Sequence, residues 1–108
     1  MNNMQNQKIF NLLSMAQRAN KVVSGELAVE KFVQSRKAKL LIVASDVSEG
    51  TKKKYSDMAE YHQVNLITML SKETLGECIG KSYRAAIALE DDGFIKALVK
   101  LIDTDNQI

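Results

Sequence analysis

Apolar residues recur at helical spacing early in the chain. Ile9, Leu12, Leu13 and Ala16 define one stripe and predict an amphipathic helix from Gln7 to Ala19. Asn20 follows the last apolar residue as a left-handed C-cap. Val22 and Val23 read as a very short extended segment. A second helix is expected from about Gly25 to Ser35. At about 3.6 residues per turn, Ala28, Val29, Phe32 and Val33 share its core face. Leu27 and Lys31 fall on the other side, one turn apart, so an exposed leucine beside an outward lysine is expected. The continuous run Leu40-Leu41-Ile42-Val43-Ala44 predicts a buried strand over Lys39 to Ser45.

The second half repeats this alternation. Asp46-Val47-Ser48-Glu49 has capping-box spacing and opens a third helix, with Thr51, Tyr55, Met58, Ala59 and His62 on its inner face. Asn65 to Met69 reads as a strand, and Ser71 caps a short helix to about Ile79. Gly80 to Arg84 is a loop and Ala85 to Leu89 a further buried strand. Glu90 to Gly93 is a turn. Phe94 to Ile102 is a last helix with Ile95, Leu98, Val99 and Ile102 apolar. Helices alternating with fully apolar strands require a sheet covered on both faces. The expected fold is α/β, a single-domain three-layer α/β/α sandwich with a central mixed sheet. It spans residues 1–108, with 1–6 and 104–108 as frayed ends.

Composition narrows the class without naming a function. A chain of 108 residues fits one domain with a real core. One cysteine, Cys78, excludes an internal disulfide and a cysteine-based zinc cluster. The expected compartment is reducing and cytoplasmic. The N-terminus is polar, without the apolar core of a signal peptide, and the longest apolar run is too short to span a membrane. The net charge of +2 conceals an asymmetry: residues 1–54 hold ten Lys/Arg against four Asp/Glu, and residues 55–108 five against nine. Such clustering points to a polyanionic partner only when a motif supports it.

No catalytic set presents itself. His62 is the only histidine and falls on an inner helical stripe, which reads as packing. Cys78 has no base beside it and reads as a buried structural thiol. Glu90-Asp91-Asp92 lacks ligand spacing for a metal and reads as a solvated turn. Gly76 and Gly80 are isolated, with no phosphate-loop or dinucleotide fingerprint. Lys52-Lys53-Lys54 reads first as a solvated face and second as an outer phosphate contact. No metal or cofactor is expected.

Two segments suit nucleic acid. Gly25 opens a helix, where a glycine lets a ligand approach the backbone, and the helix start offers free N–H groups to an anion. Lys31, one turn further in, adds a charge for phosphate. The loop Lys81-Ser82-Tyr83-Arg84 offers two cations, a hydroxyl and an aromatic ring ahead of a buried strand. Tyrosine and arginine stack on unpaired bases. An ordinary polar loop is the equal alternative on this evidence alone.

The run Leu12-Leu13-x-x-Ala16-Gln17-Arg18-Ala19-Asn20-Lys21-Val22-Val23-Ser24-Gly25 is followed by Lys31, by Lys37-Ala38-Lys39-Leu40 and by Leu41-Ile42-Val43-Ala44-Ser45-Asp46. Together these segments resemble the kink-turn-binding ribosomal protein family, and its small bacterial YlxQ-type branch most closely. The resemblance covers roughly residues 8–98. It implies the same three-layer fold and RNA binding through the glycine-hinged helix start and the loop before the last strand. By resemblance, Gly25 approaches the RNA backbone and Lys31 holds a phosphate. Leu27, Ala28 and the loop Lys81 to Arg84 face the bent internal loop of the RNA. Tight kink-turn readers tend to carry Asn-Glu where this chain has Leu27 and Ala28, which offer no donor or acceptor. Each bidentate base contact contributes about 1–3 kcal/mol of discrimination. Losing such contacts weakens specific readout and spares phosphate attraction.

The expectation is a monomeric, non-enzymatic protein that binds structured RNA, kink-turn-like or ribosomal. Its expected contact residues are Gly25, Lys31, Lys81, Tyr83 and Arg84, with Lys21, Leu27 and Ala28 beside them. Arg36, Lys37 and Lys39 extend the basic footprint if they face the same way. The alternative is a protein-interaction module that keeps the fold and has lost tight RNA affinity. A small α/β enzyme needs paired acid–base groups that this sequence does not assemble.

Overall fold

A computed structural model describes residues 3–105. Helix α1 spans Asn3–Arg18, strand β1 Val22–Ser24, helix α2 Glu26–Gln34 and strand β2 Leu40–Val43. Helix α3 spans Glu49–His62, strand β3 Asn65–Thr68, helix α4 Lys72–Cys78, strand β4 Ala86–Leu89 and helix α5 Asp92–Asp105. The four strands form one sheet in the order β1-β4-β2-β3. β2 and β3 run parallel, joined through α3, while β4 is antiparallel to both β1 and β2. The sheet is therefore mixed, as expected. Every residue of β2 and β4 is buried, so both faces of the sheet centre are covered.

α2 packs on β1 and β4 and against α3, and α3 packs on β2 and β3. α1 packs against α4 and α5. The core joins Ile9, Leu13 and Ala16 of α1 to the central strands, Val29 and Val33 of α2, Leu75 of α4 and Leu98 of α5. The radius of gyration of 12.8 Å matches a single domain of this length.

Local sequence explains most boundaries. Asn20 takes the left-handed conformation expected of it, with φ 65°. Ser48 and Ser71 each accept a hydrogen bond from the backbone N–H three residues on and cap α3 and α4. The capping box expected from Asp46 to Glu49 does not form. Asp46 instead accepts a 2.8 Å hydrogen bond from the Lys72 N–H, across 26 residues, at the start of α4. The turn expected at Glu90 to Gly93 is shorter than it reads. Asp91 caps α5 by accepting from the Phe94 N–H, and the helix begins at Asp92.

The terminal helices extend beyond their apolar stripes. The buried Gln5 donates its side-chain amide to the Leu101 carbonyl and ties α1 to α5 there. Fraying of residues 1–2 and 106–108 lies outside the described residues, whereas Asn3 to Asn6 and Thr104 to Asp105 are helical. Val99, expected with the apolar stripe of α5, is exposed. No helix among the described residues is long and apolar enough to cross a membrane.

Candidate nucleic-acid interface

Gly25 sits between β1 and α2 with φ 94° and ψ 139°, a conformation that side chains rarely adopt. It is the N-cap of α2 and supplies no side-chain cap. Its carbonyl accepts from the Val29 N–H, so the amides of the first turn lie ahead of the helix's own ladder. A Cβ built on Gly25 would meet nothing within 4 Å, so the space beside it is open to a ligand.

That space belongs to a cleft of about 260 Å³ lined by Gly25 and Glu26, by Thr51, Lys54 and Tyr55 of α3, and by Tyr83 to Ala86. The helix start and the loop before β4, 58 residues apart from Gly25 to Tyr83 in sequence, thus line one depression. Tyr83 is 62% exposed. Arg84 donates from Nη1 to the Tyr83 carbonyl, at 2.8 Å. Its Nε is buried and has no hydrogen-bond partner among the described residues.

The loop owes its path to Gly76. A Cβ there would lie 2.8 Å from the Ser82 carbonyl oxygen and 2.9 Å from that of Lys81. The Lys81 N–H donates to the Gly76 carbonyl at 2.9 Å, and the Arg84 N–H to the Lys72 carbonyl at 3.1 Å. The loop is therefore pressed onto α4 at a position where only a hydrogen atom fits.

The remaining residues expected from sequence divide into three groups. Leu27, Ala28 and Lys31 are exposed on α2, Leu27 at 72%. Ala28 had been expected on the core face. It lies in the first turn, and the buried face is narrower, formed by Val29 and Val33 with Phe32 half-buried. Lys81 is exposed in the loop but does not line the cleft. Lys21 stands at the opposite end of β1, roughly 13 Å of extended chain from Gly25. It lines a separate groove with Lys39, Glu90, Asp91 and Asp92.

Charge pairing sorts the cations further. Lys53 pairs with Asp57 at 2.8 Å, Lys39 with Asp92 at 3.1 Å, Lys52 approaches Glu49, and Lys54 pairs with Glu26. The lysine run is thus largely compensated within the fold. Lys31, Lys81 and Lys21 have no ion-pair partner among the described residues. The Lys54 hydrogen bond and charge hold the Glu26 carboxyl below its ordinary value, and Glu26 in turn raises Lys54. Lys54 also lies 5.7 Å from the Tyr55 ring centre, and burial raises the Tyr55 phenol.

A model of the ribosomal protein L7Ae/L30e/S12e/Gadd45 family matches residues 7–99. The chain belongs to this family. Among its relatives is the RNA-binding protein YlxQ of Bacillus subtilis (strain 168), 42% identical over 94 residues, covering 87% of this chain and 94% of that protein. The protein of the same name from Enterococcus faecium is 37% identical over 103 residues, covering 95% and 99%. The bacterial branch is thus the one expected. A protein of unknown function from Bacillus halodurans C is 38% identical, with a TM-score of 0.81 over 89% of this chain and 97% of that one. The Giardia lamblia 15.5kD RNA binding protein is 18% identical, with a TM-score of 0.74 over 96% and 89%, and shares the fold.

Sequence reading missed Glu26, Thr51, Lys54 and Tyr55 as cleft residues. Glu26 and Lys54 are 28 residues apart and no periodicity joins them. The one available signal was the lysine run, read second as an outer phosphate contact, and it did not distinguish Lys54 from its neighbours. The role of Gly76 was equally silent, because it depends on how the following loop folds back.

Proposed function

We propose that this protein binds structured RNA, kink-turn-like or ribosomal, as a non-enzymatic monomer in the cytoplasm. The bound RNA backbone lies against the open side of Gly25 and the first turn of α2. Lys31 holds a phosphate from the exposed face of that helix, and Tyr83 and Arg84 contact unpaired nucleotides from the facing loop. Lys81, Leu27 and Ala28 flank these contacts. Lys21 belongs to a more distant part of the footprint.

The observation that carries this reading is the meeting of Gly25, Tyr83 and Arg84 on one cleft, with Lys31, which has no ion-pair partner among the described residues, exposed on the helix that Gly25 caps. The names of the curated relatives support RNA as the ligand. Leu27 and Ala28 give no base-edge contacts, so affinity rests mainly on backbone, phosphate and stacking.

Lys31→Ala and Arg84→Ala test the assignment. Each is expected to weaken RNA binding by about 1–2 kcal/mol, the scale of a charge-assisted contact. For Lys31, which is exposed, the melting temperature should stay within about one degree of wild type. Unchanged affinity in both variants would remove these residues from the interface. The exposed Leu27 favours the second reading, a protein-docking surface on the same helix. In that case Leu27→Ala would abolish a protein contact and leave RNA affinity unaltered.

A further inference from the structure

A groove between α1 and α5 has no part in the RNA reading. Lys8, Leu12 and Met15 of α1 line it together with Ala97, Lys100 and Leu101 of α5, around about 480 Å³. None of these residues lines the cleft at Gly25. α1 packs with α4 and α5, whereas α2 packs with α3, so groove and cleft belong to different helical layers.

The floor of the groove is apolar and held in place. Leu12 belongs to the apolar stripe of α1 yet is only half-buried, while Ile9, Leu13 and Ala16 are buried. Leu101 is half-buried too, and Met15 is 50% exposed. α1 thus carries more apolar surface than the core uses. Methionine is adaptable and recurs at binding surfaces. The buried Gln5 bonds to the Leu101 carbonyl and fixes α1 against α5 at one end. From Gln5 to Met15, α1 rises about 15 Å, which is room for roughly three turns of another helix.

The charge pattern selects the occupant. α1 has no acidic residue from Asn3 to Arg18. From Gly93 to Ile102 the only charged residues of α5 are Lys96 and Lys100. Lys8 is exposed and has no ion-pair partner among the described residues. An apolar trough between lysine rims complements an amphipathic helix with acidic flanks. A second copy of the chain fits poorly, because two-fold pairing sets this basic face against itself. An RNA strand fits poorly, because no aromatic ring lines the groove for a base to stack on.

We propose that the α1–α5 groove docks an acidic amphipathic helix of a protein partner. Its apolar side chains, one turn apart, pack on Leu12, Met15 and Leu101, and its carboxylates meet Lys8 and Lys100. The cleft at Gly25 stays open meanwhile, so one molecule holds RNA on one layer and a protein on the other. That bridging role rests on the RNA reading above; the docking site does not.

The probe is a synthetic peptide of about 14 residues, stapled as a helix, with leucines at helical spacing and glutamates elsewhere. It is titrated into isotope-labelled full-length protein while the backbone amide resonances are followed. Shifts should cluster on α1 and α5. A peptide with lysines in place of the glutamates should bind about tenfold more weakly or worse. Lys8→Glu should weaken the acidic peptide about fivefold and strengthen the basic one, and Met15→Glu should weaken the acidic peptide about tenfold. Both positions are exposed, so the fold should hold, and RNA affinity at physiological salt should stay within about twofold of wild type.

Absence of shifts on α1 and α5, or equal binding of the two peptides, would overturn the docking site. Concentration-dependent shifts of the same amides without peptide would give the groove to a second copy, and shifts there on adding RNA would give it to nucleic acid; either result overturns the proposal. Charge-selective peptide binding on α1 and α5 in a protein that binds no RNA would support the docking site and remove the bridging role alone.

Discussion

Gly25 shows what one residue contributes and how much of it was readable. Its position at a helix start was visible in the sequence, and the structure adds that its φ of 94° suits glycine while nothing blocks a side chain. Gly25→Val should therefore cost about 1–3 kcal/mol through backbone strain alone, with no steric clash inside the protein. Thermal unfolding should show that loss, and RNA titration a further loss where the valine meets the backbone of the ligand. The same periodicity revealed Leu27 and Lys31 on the open face, but it widened the core stripe by one residue and took in Ala28. That position lies in the first turn, where the helix has not yet met the buried face fully. Cys78 behaves as read: it is buried, and burial pushes its thiol up to about 11. Its proton is held more tightly in the fold than in the unfolded chain. Its contribution is therefore intact below about pH 9 and is lost as pH rises towards 11. A thiol reagent at neutral to mildly basic pH should leave the native protein unmodified and label one thiol per chain once it is unfolded.

At the scale of elements, apolar spacing together with N-cap residues such as Ser71 was sufficient for the five helices among the described residues, the three longer strands and the short segment that becomes β1. The long-range polar contacts were not legible. Asp46 looks like a local cap and serves α4, because the chain after β2 and the chain after β3 emerge side by side from parallel neighbouring strands. Gly76 looks like a helix weakness and is the seat of the loop before β4. Gly76→Ala should displace that loop, cost about 1–3 kcal/mol through the clash with backbone, and reduce RNA binding with it. Gly50→Ala provides the contrast, since nothing lies near a Cβ at that position in the first turn of α3. It should stabilise the protein by about 0.5–1 kcal/mol and leave binding unchanged. Paired thermal melts and titrations of the two variants distinguish a glycine that positions the site from one that merely loosens a helix.

For the molecule as a whole, the sheet order brings together segments that are far apart in sequence. β1 pairs with β4, so the residue after β1 and the loop before β4 lie at the same end of the sheet. Their antiparallel register sets Ser24 opposite Ile87, which places Gly25 beside the entry to β4. The approach of α3 completes the cleft with Thr51, Lys54 and Tyr55. The sequence named the two main walls through a resemblance and through residue chemistry. It could not show that Lys21 lies at the other end of β1, or that most of the lysine run is paired within the fold. The central claim is a backbone-directed RNA interface at this cleft. The most direct measurement is binding of the purified protein to a kink-turn RNA and to a straight duplex of matched length, across a salt series. The account predicts tighter binding to the bent RNA, with affinity for both falling steeply as salt rises because phosphate contacts release counterions. Absence of binding to either RNA at low salt would contradict it.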